Sequence, residues 1–591
     1  MLPIPRRSSL TALLLAGIVM ASPTLAVEHA AEFLPPSTVL YAEISDPPGV
    51  MDLVTAHPVA ARLRTSAAYR QAVEEPKSRK FLTAVKYVES QLGMSWREAF
   101  ETATQGGVVL AFDARTEAAA LLMQAADERK LARITATFVR LAREDAERKG
   151  EDTPFEERDY RGVTVYRTKQ GGFAAYQHWF VVVNNSDLGR DILDALLDSR
   201  ERSLADVSSF QEARRTVEPG HAAWVYANIG AVREAGAAPR LFSGRADDPI
   251  GELLLGGVLD VLRQTPCVTA ALRGDDHQLG FTLSMPLDRS WMTEEREHYF
   301  GAEGNGRAPQ MYDLPNKLFT LAVHRNVSAM WLRSGDLFDE QVNDKLAEAD
   351  GKLSTLFAGK DFGEDILGSI APQLQIVAVR QEFPPDRPVP AIKLPAAALL
   401  AELKDPDVTA RELRRIFQSL IGFLNVVGAM NGQPQLELDQ EPLADGEGEL
   451  ISATFVGEAA AAPEQGAKIQ FNFSPSVAFS GNRMIIASTA ALARDLAALN
   501  AVESPVGGDI VNLQVGLSAD VLRMVLGDNL THLISQNMLE KGHTRDEATA
   551  ELETLLNILS LVGDVAMTLS TSGRSLDVTI DVHFAEQAGA P

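Results

Sequence analysis

Two apolar patterns alternate along the chain. Short apolar runs bounded by polar turns predict strands, and apolar residues spaced three and four apart predict helices. Trp179 to Val183 is a continuous apolar run. The polar Asn184-Asn185-Ser186 follows it, and then the stripe Leu188, Ile192 and Leu196. That is a buried strand feeding an amphipathic helix, with Ser186 placed to cap it. Further on, Leu255, Val258, Leu259 and Leu262 mark one helical face. Val268 to Leu272, a polar turn from Arg273 to Gln278, and Leu279 to Leu283 then read as a hairpin.

Both patterns recur later. Val565 to Leu569, a turn with Gly573, and Leu576 to Ile580 align without a gap on the 268–283 hairpin. Leu552, Leu555, Leu556 and Leu559 fall on the helical face before it. Arg483 to Ala487, Ser488-Thr489 and Leu492, Leu496 and Leu499 match the strand and helix at 179–196, with Thr489 as the cap. Weaker matches keep the same order. Gly220 to Val225 resembles Gly508 to Leu513, and Leu131, Ile134, Phe138 and Leu141 resemble Leu413, Phe417, Leu420 and Leu424. Self-similarity of this kind predicts a duplicated architecture. The expected division is a first repeat at 27–300, a glycine-rich linker at 301–309, a second repeat at 310–586 and a tail at 587–591.

Within a half the pattern reads β-α-α-β-β-α-β-β-β-α-β-α-β-β, with Glu151 to Asp159 as a loop. Short turns between neighbouring strands force antiparallel pairing. The expected fold class is α+β: two tandem duplicated halves, each a mostly antiparallel sheet with helices packed on one side.

Residues 1–26 carry Arg6 and Arg7, an apolar run from Thr11 to Met20, and small residues Thr24 and Ala26. This is the pattern of a secretory signal peptide cut before Val27. A periplasmic or extracellular destination after cleavage is expected, with no transmembrane span. Arginine far outnumbers lysine and alanine is abundant, which points to a bacterial source. The composition, 46% apolar and 23% charged, is that of a globular chain. The net charge of −25 argues against nucleic acid as a partner. Cys267 is the only cysteine, so no internal disulfide forms, and its place at the head of an apolar strand makes it a small core residue.

Familiar chemical motifs are missing from the linear sequence. No two histidines stand at i, i+2 or i, i+4. Lys360-Asp361-Phe362-Gly363 holds the letters of a kinase metal-binding triplet without its companion motifs and reads as a helix start. No phosphate loop, dinucleotide loop or nucleophile elbow appears. Asp405-Pro406-Asp407 reads as a helix cap rather than a calcium loop. No catalytic residue, metal site or cofactor is assigned, and a monomer is expected. One difference between the halves stands out: Trp224 and Tyr226 align with Asn512 and Gln514. Trp224 and Tyr226 are therefore the candidate partner contact, provided that their side of the strand is exposed.

Leu34-Pro35-Pro36 through Leu40-Tyr41-Ala42-Glu43-Ile44 resembles the opening strand of a family of large exported bacterial proteins known only as a domain of unknown function. Gly106 to Ala111, Gly162 to Tyr166 and the Phe173 to Asn184 hairpin are also similar to it. The resemblance implies export and an α+β build, and brings no catalytic residues. The expected function is a non-catalytic envelope protein that binds an unknown ligand or envelope partner, or serves as a scaffold. A hydrolase with an unrecognised site and a carrier of an amphiphile are the alternatives. A continuous apolar tunnel would favour the carrier, and a deep cleft lined by convergent acids and a base the enzyme.

Overall fold

The computed structural model describes residues 30–585, apart from short stretches within 57–75 and at 199–200, 218–219, 240–241, 247, 276, 302–303, 358, 384–388, 433, 444–447, 457–466 and 500–507. The expected signal peptide, the expected cut before Val27 and the tail at 587–591 lie outside the described residues. The chain forms two compact units. One is the chain up to Ala238 together with Thr265–Pro286; the other is Pro239–Gln264 together with Leu287 onward. The helix Pro249–Gln264 thus belongs to the second unit, although it lies inside the first repeat as read from the sequence.

Among the described residues the first unit holds ten strands: β1 (Thr38–Ile44), β2 (Val108–Asp113), β3 (Ala118–Gln124), β4 (Glu156–Tyr160), β5 (Val163–Arg167), β6 (Gly172–Tyr176), β7 (Trp179–Val183), β8 (Ala223–Ala227), β9 (Val268–Gly274) and β10 (Gln278–Pro286). Every pairing is antiparallel, in the order β10-β9-β8-β1-β2-β3-β7-β6-β5-β4. The second unit holds β11 (Lys317–His324), β12 (Ile370–Val379), β13 (Ala396–Leu403), β14 (Leu436–Pro442), β15 (Gly448–Phe455), β16 (Ser476–Ser480), β17 (Arg483–Ala487), β18 (Ile510–Ser518), β19 (Val562–Thr571) and β20 (Ser575–Phe584). Its order is β20-β19-β18-β11-β12-β13-β17-β16-β15-β14, again antiparallel throughout. The fold class is α+β.

Registers also agree between the units. Ala271 faces Thr282 in the first hairpin, and Thr568 faces Thr579 in the second. Tyr176 faces Trp179, and Ser480 faces Arg483.

Three expectations need correction. First, helices cover both faces of each sheet, not one. In the first unit, Trp179 and Val181 pack with Leu188 and Ile192 of the helix Ser186–Leu197. The alternate residues Phe180 and Val182 pack with Val139 of the helix Glu128–Lys149. In the second, Ile485 packs with Leu492 and Leu496, while Val477 and Met484 pack with Leu413 and Phe417 of the helix Pro406–Met430. A strand apolar on both faces requires two covers. Second, Glu156–Tyr160, read as the end of a loop, is the edge strand β4. Its charged, exposed residues suit an edge that must not recruit another strand. Third, the cap before Leu188 is Asn185, whose side chain accepts from the Asp187 amide at 2.7 Å; Ser186 is already helical. Thr489 caps as expected, accepting from the Leu492 amide at 3.3 Å.

Candidate functional site

A cavity of about 280 Å³ opens in the first unit between β4–β7 and the helix Ser186–Leu197. The alternation of β5 builds one wall. Val163, Val165 and Arg167 share the face toward this helix, while Tyr166 turns to the opposite side and stacks on Phe173. Val165, Ala174, Val181, Val183 and Leu193 give the lining its apolar character. Small residues leave the space open. Ala174 stands at the centre of β6, and Gly189 faces β7, where a Cβ on it would come within 2.9 Å of Val183 Cγ2. The exposed residues lining the cavity are Arg158, Asp159, Arg167 and Arg190.

Polar contacts fix most of this mouth. Arg158 Nη2 donates to both Glu156 carboxylate oxygens at 2.9 and 3.1 Å. Arg190 pairs with Asp187 at 3.1 Å. Asp159 accepts from the Gly162 amide at 3.3 Å. Tyr160 donates to the Asp194 carboxylate at 3.0 Å, and Arg161 bridges Asp194 and Asp198 at 2.7 and 2.6 Å. Desolvation, with the Asp194 carboxylate beside it, raises the Tyr160 phenol above its usual range.

The ladder registers identify the matching positions in the second unit. Val165 faces Ala174, which faces Val181; Leu450 faces Ala478, which faces Ile485. Arg158 faces Val165 as Glu441 faces Leu450, and Arg167 faces Gly172 as Ser452 faces Ser476. There Leu443, Leu450, Ile485 and Ala493 are buried against one another; Leu450, Ile485 and Ala493 are larger than Val165, Val181 and Gly189, whereas Ala487 and Ala497 are smaller than Val183 and Leu193. The charges differ as well, since Glu441 is held by Arg494.

Trp224 and Tyr226 lie elsewhere. Both are fully buried, with 0% exposure, so neither offers a surface to a partner. They pack edge-on against Phe210, and Trp224 also against Tyr41. The Arg214 guanidinium lies 5.0 Å over Trp224 and pairs with the buried Glu43 at 3.0 and 3.2 Å. Ser209 and the Tyr226 hydroxyl are 2.8 Å apart, and burial pushes the phenol up to about 12. The pair is core, because the helix Ser208–Thr216 covers that side of the sheet. Its counterparts also shift. Trp224 faces Ala271 as Gln514 faces Thr568, so Gln514 and Gly516 stand at the places of Trp224 and Tyr226. An irregularity in β18 between Val511 and Leu513 accompanies this two-residue shift, and an even shift preserves the face.

Asn512 has a separate role within the second unit. It is buried, donates to the Tyr299 and Gly306 carbonyls at 3.0 and 3.2 Å, and accepts from Arg325. The Arg325 guanidinium lies 3.4 Å over the Tyr299 ring and donates to the Leu253 carbonyl at 2.5 Å. Nearby, Arg296 pairs with Glu252 at 2.7 Å and Asp260 at 2.6 Å. These buried charges are mutually satisfied, which assigns them to holding the helix Pro249–Gln264 in place.

Cys267 is buried, donates to the Ser209 carbonyl at 3.8 Å, and its thiol is pushed up to about 11 by burial. Among the described residues no group of three or more metal-ligating side chains is placed to hold an ion. No described helix is long and apolar enough to cross a membrane.

No family model matches the chain, and no curated protein matches it. Among solved structures it is similar to crystal form III of TP0453, with 13% identity over 45% of this chain and 82% of that one, at a TM-score of 0.23. It is likewise similar to crystal form I of TP0453, with 11% identity over 48% and 88% of the two chains and a TM-score of 0.25. At such TM-scores the likeness carries no argument.

The sequence reading missed the cavity and its arginines. A signal for Arg167 was present, since it continues the Val163, Val165 alternation. Arg158 was hidden in a segment read as loop.

Proposed function

We propose that the protein is an exported, non-catalytic binding protein that holds a small, apolar-bodied ligand in the cavity of its first unit. One observation carries this reading: apolar side chains line an open cavity whose exposed rim is charged. Concave, mostly apolar sites with a few polar groups are the usual form of small-ligand sites. We also read the two units as descendants of one duplicated unit. The common strand order, the matching ladder registers and the ungapped sequence matches support that.

The test replaces Val165 and Val181 with their second-unit counterparts, Val165→Leu and Val181→Ile. Titration of the full chain with the neutral fluorophore 1-aminoanthracene should show saturable, one-site enhancement. The double variant should weaken it at least tenfold while remaining folded by circular dichroism. Absence of saturable binding to the parent protein would overturn the reading.

A further inference from the structure

We infer that the ligand is an anionic amphiphile, an apolar body ending in a carboxylate or phosphate, and that Arg167 determines this specificity. The inference rests on the cavity proposed above as the binding site and adds the chemistry of its mouth.

Of the three arginines lining the cavity, Arg158 is engaged by Glu156 and Arg190 by Asp187. Glu156 stands opposite Arg167 in the β4–β5 ladder, yet its carboxylate is taken by Arg158. Asp159, the acidic group of the lining, is engaged by the Gly162 amide. Among the described residues no carboxylate lies at ion-pair distance from Arg167. Its guanidinium therefore keeps its planar, multi-donor fork available, a shape that matches a carboxylate or phosphate bidentately.

The second unit sharpens the point. Ser452 stands at the place of Arg167, and Glu441 at that of Arg158, neutralised by Arg494. The cation that lines the first unit's cavity is therefore absent from the matching position of the second.

The experiment is calorimetric titration of the full chain with decanoate, decyl phosphate and decanol, which present similar chains with different ends. The parent protein should bind at least one of the two anions tenfold or more tighter than decanol. Arg167→Ser, the second unit's residue, should bring that anion to the decanol level while leaving decanol affinity and the thermal midpoint unchanged. Arg167→Lys should retain part of the preference. Equal binding of anions and decanol, or an anion preference that survives Arg167→Ser, would overturn the inference and leave the cavity reading intact. Failure of all three to bind would overturn both.

Discussion

The corner formed by β5–β7 and the helix Ser186–Leu197 holds a cavity, whereas the corner formed by β15–β17 and the helix Ala490–Ala498 buries Leu443, Leu450, Ile485 and Ala493 against one another. The backbone ladders match, so the difference lies in a handful of side chains. Val165 is matched by Leu450, and Val181 by Ile485. Along the strand-helix match, Gly189 gives way to Ala493, while Val183 and Leu193 give way to Ala487 and Ala497. The same contrast appears in the cores beside β1 and β11. Tyr41, Trp224 and Tyr226 fill the first, while Thr320, Gln514 and Gly516 stand at matching places in the second.

The largest test of this contrast is truncation at that shared position. Trp224→Ala should cost the first unit about 3–5 kcal/mol, since it removes a buried aromatic side chain and strips Arg214 of its ring. Gln514→Ala should cost the second unit under about 1 kcal/mol. Calorimetric unfolding of the full chain measures both, and similar losses would break the contrast.

The next test is pH. Where β1 ends, Ser45 bonds to Glu43 at 2.8 Å; where β11 ends stands His324, which burial and the Arg325 charge pull down to about 4. An unfolded histidine titrates near 6.5, so between these values the unfolded state binds the proton first. The contribution of His324 to stability is therefore fully present above pH ~6.5 and is lost as pH falls toward 4, at up to about 1.4 kcal/mol per unit. Urea midpoints at pH 7 and pH 4.5 should show this loss in the parent and a smaller one in His324→Ser. An equal loss in both would remove the assignment.

The smallest test concerns the exchanged volume. Gly189→Ala alone presses on Val183, and Val183→Ala alone leaves a gap. Together they reproduce the second unit's pair and should show a favourable coupling of about 1 kcal/mol in a double-mutant cycle. Strict additivity would mean that the two positions do not share this space.

Much of the fold was legible. The strand-helix phrases at 179–196 and 483–499 and the hairpins at 268–283 and 565–580 stand where their patterns place them. Burial on both faces was also written in Trp179 to Val183, a run with no polar position to face water. Glu156–Tyr160 was not legible, because an edge strand whose residues face solvent carries no apolar alternation. The cavity escaped for a different reason. Ala174, Gly189 and Val165 belong to the same small or apolar class as the residues that close the second corner, and apolar patterning does not register size. The importance given to Trp224 and Tyr226 came from comparing types without knowing which face the helix Ser208–Thr216 would cover.

The helix Pro249–Gln264 sets an order of events during synthesis. Its Leu253 carbonyl waits 72 residues for Arg325, and Arg325 waits a further 187 for Asn512. At roughly 5–20 residues per second the second wait alone lasts about 10–40 s. Over that interval the nascent chain carries Glu252 and Asp260 on a helix whose final enclosure has yet to be made. The first unit receives its last strand at Pro286 and can close around its cavity while the ribosome is still making most of the second.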